Sequence, residues 1–227
     1  KDVIFVAHST TQATNALIEG DVANVGVIGV GPKGVGGWIA KAQTNMKDIN
    51  LGSGRFIRLK NRFICDENLS DQLVTDTIKS LVGDGAEVIV ASESFGVDDM
   101  ENETGICKIA KDMGLEATAA SEITKLYGLT RRTRTAAINA SILPKMLNTA
   151  NSTEQSVKSA GVEVPLMIMR GDGGVMEISE MKKRPVLTML SGPAASVMGS
   201  LMYLRASNGV YFEVGGTTTN IGVIKDG

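Results

Sequence analysis

The chain has 227 residues, 43% of them hydrophobic and 21% charged, which is the balance of a globular protein with ample apolar surface to bury. Its net charge of −2, with 23 basic residues that form no long patch, argues against nucleic-acid binding. No apolar run approaches the ~20 residues that cross a membrane, the single histidine excludes a multi-histidine metal site, and two cysteines without ligand spacing indicate a reduced, cytoplasmic protein.

Apolar strands and amphipathic helices alternate along the first half of the chain. Strands are predicted at residues 3–7, 25–30, 87–91 and 115–118. Helices are predicted at residues 13–18, 70–82 and from Asp98 to Met113, each followed by glycine. The first strand, helix and strand predict a βαβ-like unit, and the alternation as a whole predicts an α/β fold.

Two stretches of the first half are patterned less clearly. Residues 31–54 are rich in glycine and predict a loop with a short helix at 38–42, in which Trp38 is interpreted as a packing anchor. Residues 56–64 predict a β-hairpin that turns at Lys60-Asn61.

In the second half, residues 130–147 predict a helix that Pro144 must kink or end. A strand is predicted at residues 165–169, an apolar segment at 185–190, a helix at 194–205 and a hairpin across 210–224. Domain boundaries are predicted near residues 127–130 and 207–209.

Four turns share the chemistry of anion-binding loops, since each follows a predicted apolar strand and offers small residues, hydroxyls or a carboxylate. These turns are residues 8–11, 171–174, 191–193 and 215–219. Successive peptide N–H groups in such turns, and at helix N-termini, bind anions. Because ligands of α/β proteins bind at the carboxyl ends of strands, the four turns together predict a phosphorylated ligand.

Several of these residues keep two interpretations. The Gly-Gly-Thr-Thr-Thr turn is a phosphate-binding or an ordinary hairpin, and Asp172 is a Mg²⁺ or substrate carboxylate or an Asx-turn residue. His8 contacts substrate or phosphate, or hydrogen-bonds within its turn. The arginines at 131, 132 and 134 favour a solvated or salt-bridged helix start over an anion site. Both cysteines are interpreted as inert thiols.

The same stretches resemble the hydantoinase/oxoprolinase family, A-type subunit, of the actin-like ATPase superfamily. Residues 7–17 are similar to its His-Gly-Thr-Thr-x-Ala-Thr-Asn-Ala-Leu motif, and 131–140 to its arginine-then-Thr-Ala-x-x-Asn-Ala helix. Residues 171–174, 190–200 and 213–220 resemble its Ser-Asp-Gly-Gly turn, its Leu-Ser-Gly-Pro-Ala helix start and its Asp-x-Gly-Gly-Thr-x-Thr-Asp hairpin.

The resemblance implies a two-lobed, actin-like (ribonuclease H-like) fold that uses ATP and Mg²⁺ to hydrolyse a cyclic amide such as a hydantoin or 5-oxoproline, usually with a B-type subunit. It implies catalytic roles for His8, Asp172 and Glu213, with Glu213 as a Mg²⁺ ligand. It implies phosphate binding by Thr10, Thr11, Gly173, Gly174, Ser191, Gly192, Gly215, Gly216, Thr217, Thr218 and Thr219. A homo-oligomer is left open.

Departures from the family pattern keep other functions open. The chain begins after the position of the family's first phosphate hairpin, so residues 1–127 are expected to be the remainder of the N-terminal domain and 128–227 the start of the A domain, with the second-lobe hairpin from about 209. Ser9 replaces a glycine, and Glu213 and Asn220 replace aspartates. The alternatives are a non-catalytic, regulatory actin-like ATPase and a sugar-kinase-like phosphotransferase.

Overall fold

A computed structural model describes residues 4–205, 207–215 and 219–226. Its strands are β1 (Val6–His8), β2 (Val25–Gly31), β3 (Ile49–Gly52), β4 (Arg55–Ile57), β5 (Leu59–Cys65), β6 (Val88–Glu93), β7 (Glu116–Ala119), β8 (Leu166–Met169), β9 (Val175–Glu177), β10 (Gly209–Val214) and β11 (Thr219–Ile224). Its α-helices are α1 (Gln12–Glu19), α2 (Val35–Thr44), α3 (Asp71–Gly83), α4 (Glu101–Asp112), α5 (Ala120–Ile123), α6 (Leu129–Ser159), α7 (Ile178–Lys183) and α8 (Ser191–Leu204).

The chain forms two compact units. Unit 1 comprises residues 1–15 and 146–227, and unit 2 comprises residues 16–145. Helices α1 and α6 contain the residues at which the chain passes from one unit to the other. None of the described helices is long and apolar enough to span a bilayer.

Unit 2 is built on a four-stranded parallel sheet in the order β5-β2-β6-β7. Every residue of β2 and β6 is buried, as expected for central strands with helices on both faces. The core joins Ile28 and Ile89 of these strands to Ile78 and Leu81 of α3 and Ile106 of α4.

Small residues allow α2 to pack closely on β2. A Cβ at Gly29 would lie 2.2 Å from Thr44 Oγ1, and one at Gly31 would lie 2.8 Å from the Ala40 Cβ. The buried face of α2 consists of such small residues, which leave no room for a large side chain against β2. Trp38 lies on the outer face and is 72% exposed. The prediction that Trp38 is a packing anchor is therefore wrong.

Unit 1 contains a three-stranded sheet in the order β1-β8-β9, in which β1 is parallel and β9 antiparallel to β8. Helix α8 and the antiparallel hairpin of β10 and β11 belong to the same unit. The hairpin is the one predicted from the sequence, with Glu213 opposite Asn220.

Two predicted supersecondary structures are wrong. Strands β1 and β2 belong to different sheets, because β2 is buried on both faces between β5 and β6 while the short β1 pairs with β8. No hairpin forms at residues 56–64, because most of that stretch belongs to β5, an edge strand that pairs with β2. The preceding strand β4 pairs instead with β3, through a turn in which Ser53 adopts φ 51°. Residues Lys60 and Asn61 continue β5, where the Asn61 amide bonds to the main chain of Met46.

Helix α6 is longer than predicted, running through Pro144 to Ser159 as one helix of 31 residues. Residues 185–188 form a 3₁₀ helix, so the Ser191 turn does not follow a strand as expected. The remaining predicted strands and helices of unit 2, and the alternation that they form, are found in the structure.

Candidate active site in unit 1

Two of the four predicted turns leave the same edge of the unit 1 sheet. Strands β1 and β8 are parallel, with His8 opposite Ile168, so residues 9–11 and residues 170–174 both follow the carboxyl ends of their strands. The exposed His8 side chain lies at the end of β1, two residues before Thr10. This edge is where the ligands of α/β proteins bind.

The third turn is hydrogen-bonded directly to the first. The Ser191 hydroxyl is fully buried, donates to the Thr10 carbonyl oxygen at 3.0 Å and accepts from the Thr10 N–H at 3.4 Å. In addition, the Leu190 N–H donates to the Thr14 hydroxyl at 3.0 Å. These bonds hold the N-terminus of α8 against the start of α1.

Threonines at the start of α1 organise that helix terminus. The buried Thr10 hydroxyl accepts from the Gln12 N–H at 3.2 Å, while the exposed Thr11 hydroxyl accepts from the Asn15 side-chain amide at 3.4 Å. The first N–H groups of each helix have no partner within their own helix, and the helix dipole adds partial positive charge there. Two helix N-termini, those of α1 and α8, thus lie side by side.

Glycine 171 allows the second turn to approach the segment that precedes α8. The Gly171 N–H donates to the Leu187 carbonyl at 2.8 Å, and a Cβ at Gly171 would lie 2.0 Å from the Met189 carbonyl oxygen. A Cβ at Gly173 would meet Met198 of α8 at 3.2 Å. The turns at 8–11 and 171–174 therefore both contact residues 187–191, the segment that leads into α8.

The Asp172 carboxylate is engaged within its own turn. Its Oδ1 accepts from the Gly174 N–H at 3.0 Å, and its Oδ2 pairs with Arg170 at 2.5 Å. The Gly174 hydrogen bond and the charge of Arg170 lower the pKa of Asp172. Of its two interpretations, the structure shows the Asx-turn contacts.

The second-lobe hairpin places its acid beside helix α8. Glu213 of β10 accepts from the Asn220 side-chain amide at 3.1 Å and lines a cavity of about 390 Å³ with Ser196, Ser200 and Tyr203 of α8. Gly215 and Thr219 are exposed at the ends of β10 and β11. The predicted phosphate ligands Gly216, Thr217 and Thr218 lie outside the described residues.

No cluster of three or more metal-ligating side chains occurs in the parts of the chain that the structure describes. Mg²⁺ in nucleotide enzymes uses one or two carboxylates and takes its remaining ligands from phosphates and water. One Glu213 oxygen accepts from Asn220, whereas both Asp172 oxygens are hydrogen-bonded, so Glu213 fits such a role better than Asp172.

Sequence reasoning missed a buried polar network in unit 2. The Glu103 carboxylate, with no exposed surface, accepts from the Glu93 N–H at 2.8 Å, the Ser121 N–H at 2.7 Å and the Ser121 hydroxyl at 3.1 Å. Arg132 is also fully buried, so its interpretation as part of a solvated or salt-bridged helix start is wrong. Its guanidinium donates to the main-chain oxygens of Leu126 and Glu93.

Burial has opposite effects on the charged groups of this network. Desolvation raises the pKa of Glu103 and of Glu93, and it lowers the pKa of Arg132. The hydrogen-bond partners in this network are mainly main-chain groups, which leave no periodic pattern in the sequence. The adjacent Cys107 is a free thiol whose pKa burial raises to about 12, in agreement with its interpretation as inert.

The parallel sheet of unit 2, together with the mixed sheet, the strand-end turns and the hairpin of unit 1, defines a mixed α/β protein. The chain belongs to the hydantoinase/oxoprolinase family: the family's N-terminal region matches residues 1–114 and its hydantoinase/oxoprolinase domain matches residues 132–227. The resemblance inferred from the motifs is thereby confirmed.

Among curated proteins, the chain is 27% identical over 143 residues to uncharacterized protein MJ0964 of Methanocaldococcus jannaschii, a match covering 61% of this chain and 21% of that protein. Among solved structures, it is similar to nucleotide-free acetone carboxylase, with a TM-score of 0.72, 18% identity and coverage of 97% of this chain and 35% of that one. The ATP-dependent caprolactamase of Pseudomonas jessenii gives a TM-score of 0.68 at 19% identity, over 98% of this chain and 35% of that one.

The structural likenesses confirm the predicted fold class. The chain spans about a fifth of the curated relative and about a third of each of these two structures.

Proposed function

We propose that this chain is part of an ATP-dependent enzyme that opens a cyclic amide such as a hydantoin or 5-oxoproline, and that its unit 1 turns hold phosphoryl groups of the nucleotide. The observation that carries the proposal is the pair of hydrogen bonds between Ser191 and Thr10, because they bring two helix N-termini together. The family membership and the names of the acetone carboxylase and caprolactamase neighbours support the use of ATP.

The groups offered to phosphate differ in role. The Ser191 hydroxyl is buried and bonded to Thr10, so it positions α8, and the main-chain N–H groups of the first turn of α8 serve as donors. The exposed Thr11 hydroxyl and the bare backbone of Gly192 lie beside them, since a Cβ at Gly192 would be 3.6 Å from the Thr11 methyl. The N–H groups of Gly173 and Gly174 donate within their own turn, to the Arg170 carbonyl and to Asp172, so this turn contributes close packing against α8.

The economical chemistry for an amide is transfer of the γ-phosphoryl group of ATP to the amide oxygen, with ADP as the leaving group, which makes the carbonyl carbon electrophilic for water. After water has added, collapse of the adduct breaks the ring C–N bond and releases phosphate, leaving a carboxylate and an amine. Phosphoryl transfer depends on positioning and charge neutralisation, and these are the roles we assign to the turns. Mg²⁺, held by Glu213 together with phosphate oxygens, would neutralise charge on the transferred group. His8, exposed at the end of β1, is assigned a substrate or phosphate contact.

The test requires the longer protein with its B-type partner, assayed for ATP hydrolysis that depends on hydantoin or 5-oxoproline. The 227-residue chain alone is expected to show no turnover, and ATP-dependent phosphate release from it would contradict that expectation. ATP hydrolysis by the longer protein that neither hydantoin nor 5-oxoproline stimulates would contradict the proposal itself. Gly192→Ala should lower substrate-dependent turnover at least tenfold, because a methyl group enters the space in front of the α8 N–H groups. Gly105→Ala in α4 is the matched control, since it also adds a Cβ to a helix and nothing lies within 4 Å of that Cβ.

A second candidate, a non-catalytic regulatory ATPase, is favoured by one observation. The Asn220 amide occupies a Glu213 oxygen where the family pattern has two acids, which removes one negative charge from the hairpin. For this candidate, the longer protein binds nucleotide while hydantoin and 5-oxoproline leave ATP hydrolysis unchanged.

A further inference from the structure

A crevice opens in unit 2 between β2 and β6, the point at which the strand order of its sheet reverses. From the carboxyl end of β2 the chain continues through α2 towards β5, whereas from the end of β6 it continues through α4 towards β7 on the opposite side. A cavity of about 280 Å³ lies there, lined by α2, the β6–α4 loop and the start of α6. Such a switch point is the usual ligand site of open α/β sheets.

Phe95 in the wall of this cavity adopts a backbone conformation that does not stabilise the fold. It is 70% exposed and adopts φ 62°, a left-handed conformation that bulky residues rarely adopt and glycine adopts freely. An exposed phenylalanine gains little from burial, so neither packing nor backbone preference accounts for it. A strained residue in a concave site indicates a binding role.

The buried network fixes the two loops that form the cavity wall. Arg132 donates to the Glu93 carbonyl and Glu103 accepts from the Glu93 N–H, which together hold the segment that leads into Phe95. The same guanidinium donates to the main-chain oxygens of Leu126 and Tyr127 at 2.8 and 3.4 Å. Both loops are therefore held in place without a ligand.

The lining indicates the chemistry of the ligand. Its walls are mainly apolar, with Ile39, Phe95 and Leu129 among them, and it contains no charged side chain. Polar groups are few: the Gln43 amide at the end of α2, the Ser94 hydroxyl, and the Tyr127 hydroxyl, which already donates to Asp98 at 2.6 Å. The volume lies below the ~300–1,000 Å³ of sites for drug-sized molecules.

We propose that this crevice binds a small uncharged ring compound whose apolar face packs on Phe95 and whose amide or similar polar edge meets Gln43. The proposal does not depend on the phosphate site, because every residue that carries it belongs to unit 2 and no nucleotide is required.

The test uses the 227-residue chain without nucleotide, labelled in the isoleucine and alanine methyl groups and titrated with ε-caprolactam. Saturable shifts of the Ile39 and Ala40 methyl signals, with a millimolar Kd, are expected. The anion 5-oxoproline, which adds a carboxylate to a lactam ring, should bind at least tenfold more weakly.

The diagnostic variant is Phe95→Gly, which suits the local backbone conformation and should not lower the unfolding midpoint. It should weaken ε-caprolactam binding at least fivefold, whereas Phe212→Ala, at an exposed aromatic residue of the β10–β11 hairpin, should leave binding unchanged.

The proposal is wrong if no saturable shift occurs at Ile39 and Ala40, if Phe95→Gly binds as the wild type does, or if 5-oxoproline binds equally well. It is also wrong if the same methyl signals broaden with protein concentration alone, since the crevice is then an interface between copies of this chain.

Discussion

Replacement of Glu103 by alanine should destabilise unit 2 by about 3–5 kcal/mol. The substitution leaves two buried main-chain donors, the N–H groups of Glu93 and Ser121, without their acceptor, at about 1–3 kcal/mol each. It also removes one of the negative charges that favour the buried Arg132 guanidinium, the others being those of Asp98 and Glu93. Relief of the Glu103 desolvation offsets part of this sum.

Glu103→Gln should cost less, about 1–3 kcal/mol. Its remaining oxygen can take the place of Oε1, which serves both the Glu93 N–H and the Ser121 hydroxyl. The new amide NH₂ then faces the Ser121 N–H, so one donor remains unpaired. The matched control is Glu101→Gln on the exposed first turn of the same helix, where the lost helix-dipole contact costs at most about 1 kcal/mol.

The assay must report on unit 2 alone, because a chain of two units need not unfold in one step. Cys107 lies in the helix that carries Glu103 and is only 6% exposed. In a Cys65→Ala background, its rate of labelling by a thiol reagent under native conditions gives the free energy of opening. A cost below about 1 kcal/mol for Glu103→Ala, or equal costs for the alanine and glutamine variants, would refute the reasoning.

Three further predictions concern stability. Ser191→Ala should cost about 1–3 kcal/mol in unit 1, because the buried Thr10 carbonyl and N–H lose their partner; urea unfolding of the variant measures this. Gly171→Ala should cost at least as much, since its Cβ would meet the Met189 carbonyl oxygen at 2.0 Å, and thermal unfolding will show it. Glu93→Gln should change the pH dependence of stability, because burial raises the pKa of Glu93 above the ordinary 4.5. The contribution of protonated Glu93 to stability is present below pH 4.5 and is lost as the pH rises through the pKa of the folded state. The glutamine variant should lack this loss, which unfolding midpoints from about pH 4 to 8 will measure.

Each of these has a control and a contradicting result. Ser196→Ala removes a longer, local hydroxyl contact within α8, and a cost equal to that of Ser191→Ala would remove the special role of the buried serine. Gly105→Ala, in the interior of α4 with nothing within 4 Å, should instead stabilise by up to about 1 kcal/mol. A Glu93→Gln profile parallel to that of the wild type would show that Glu93 does not titrate in this window.

The alternation of strands and helices, and hence the fold class, could be predicted because buried strands such as β2 and β6 consist almost entirely of Val, Ile and small residues. The pairing of the strands could not be predicted in the same way. Strand β5 carries three consecutive polar residues, 60–62, between apolar ones, which is typical of a hairpin turn, and only its pairing with β2 shows that the strand continues through Lys60. Local pattern contains no information about which distant strand is the partner.

At the candidate site, the motifs identified which turns matter but not how each residue acts. The burial of Ser191 depends on Thr10 at the other end of the chain, and Asp172 is engaged by Arg170 next to its own turn. Arg132 looked like a solvated charge because its partners are main-chain oxygens, which any sequence supplies. The left-handed Phe95 likewise leaves no sequence signal, since the residue type argues against that conformation.

The bond between Ser191 and Thr10 has a consequence for synthesis. Its two ends are 181 positions apart, so at about 5–20 residues per second a ribosome needs on the order of 10–40 s between them. Residues 16–145, one continuous stretch, can complete their own sheet during that interval while residues 4–15 still lack partners. Translation that stops before residue 166 would therefore release a folded unit 2 while β1 still lacks its partner strand β8, and such an unpaired segment is a substrate for proteases.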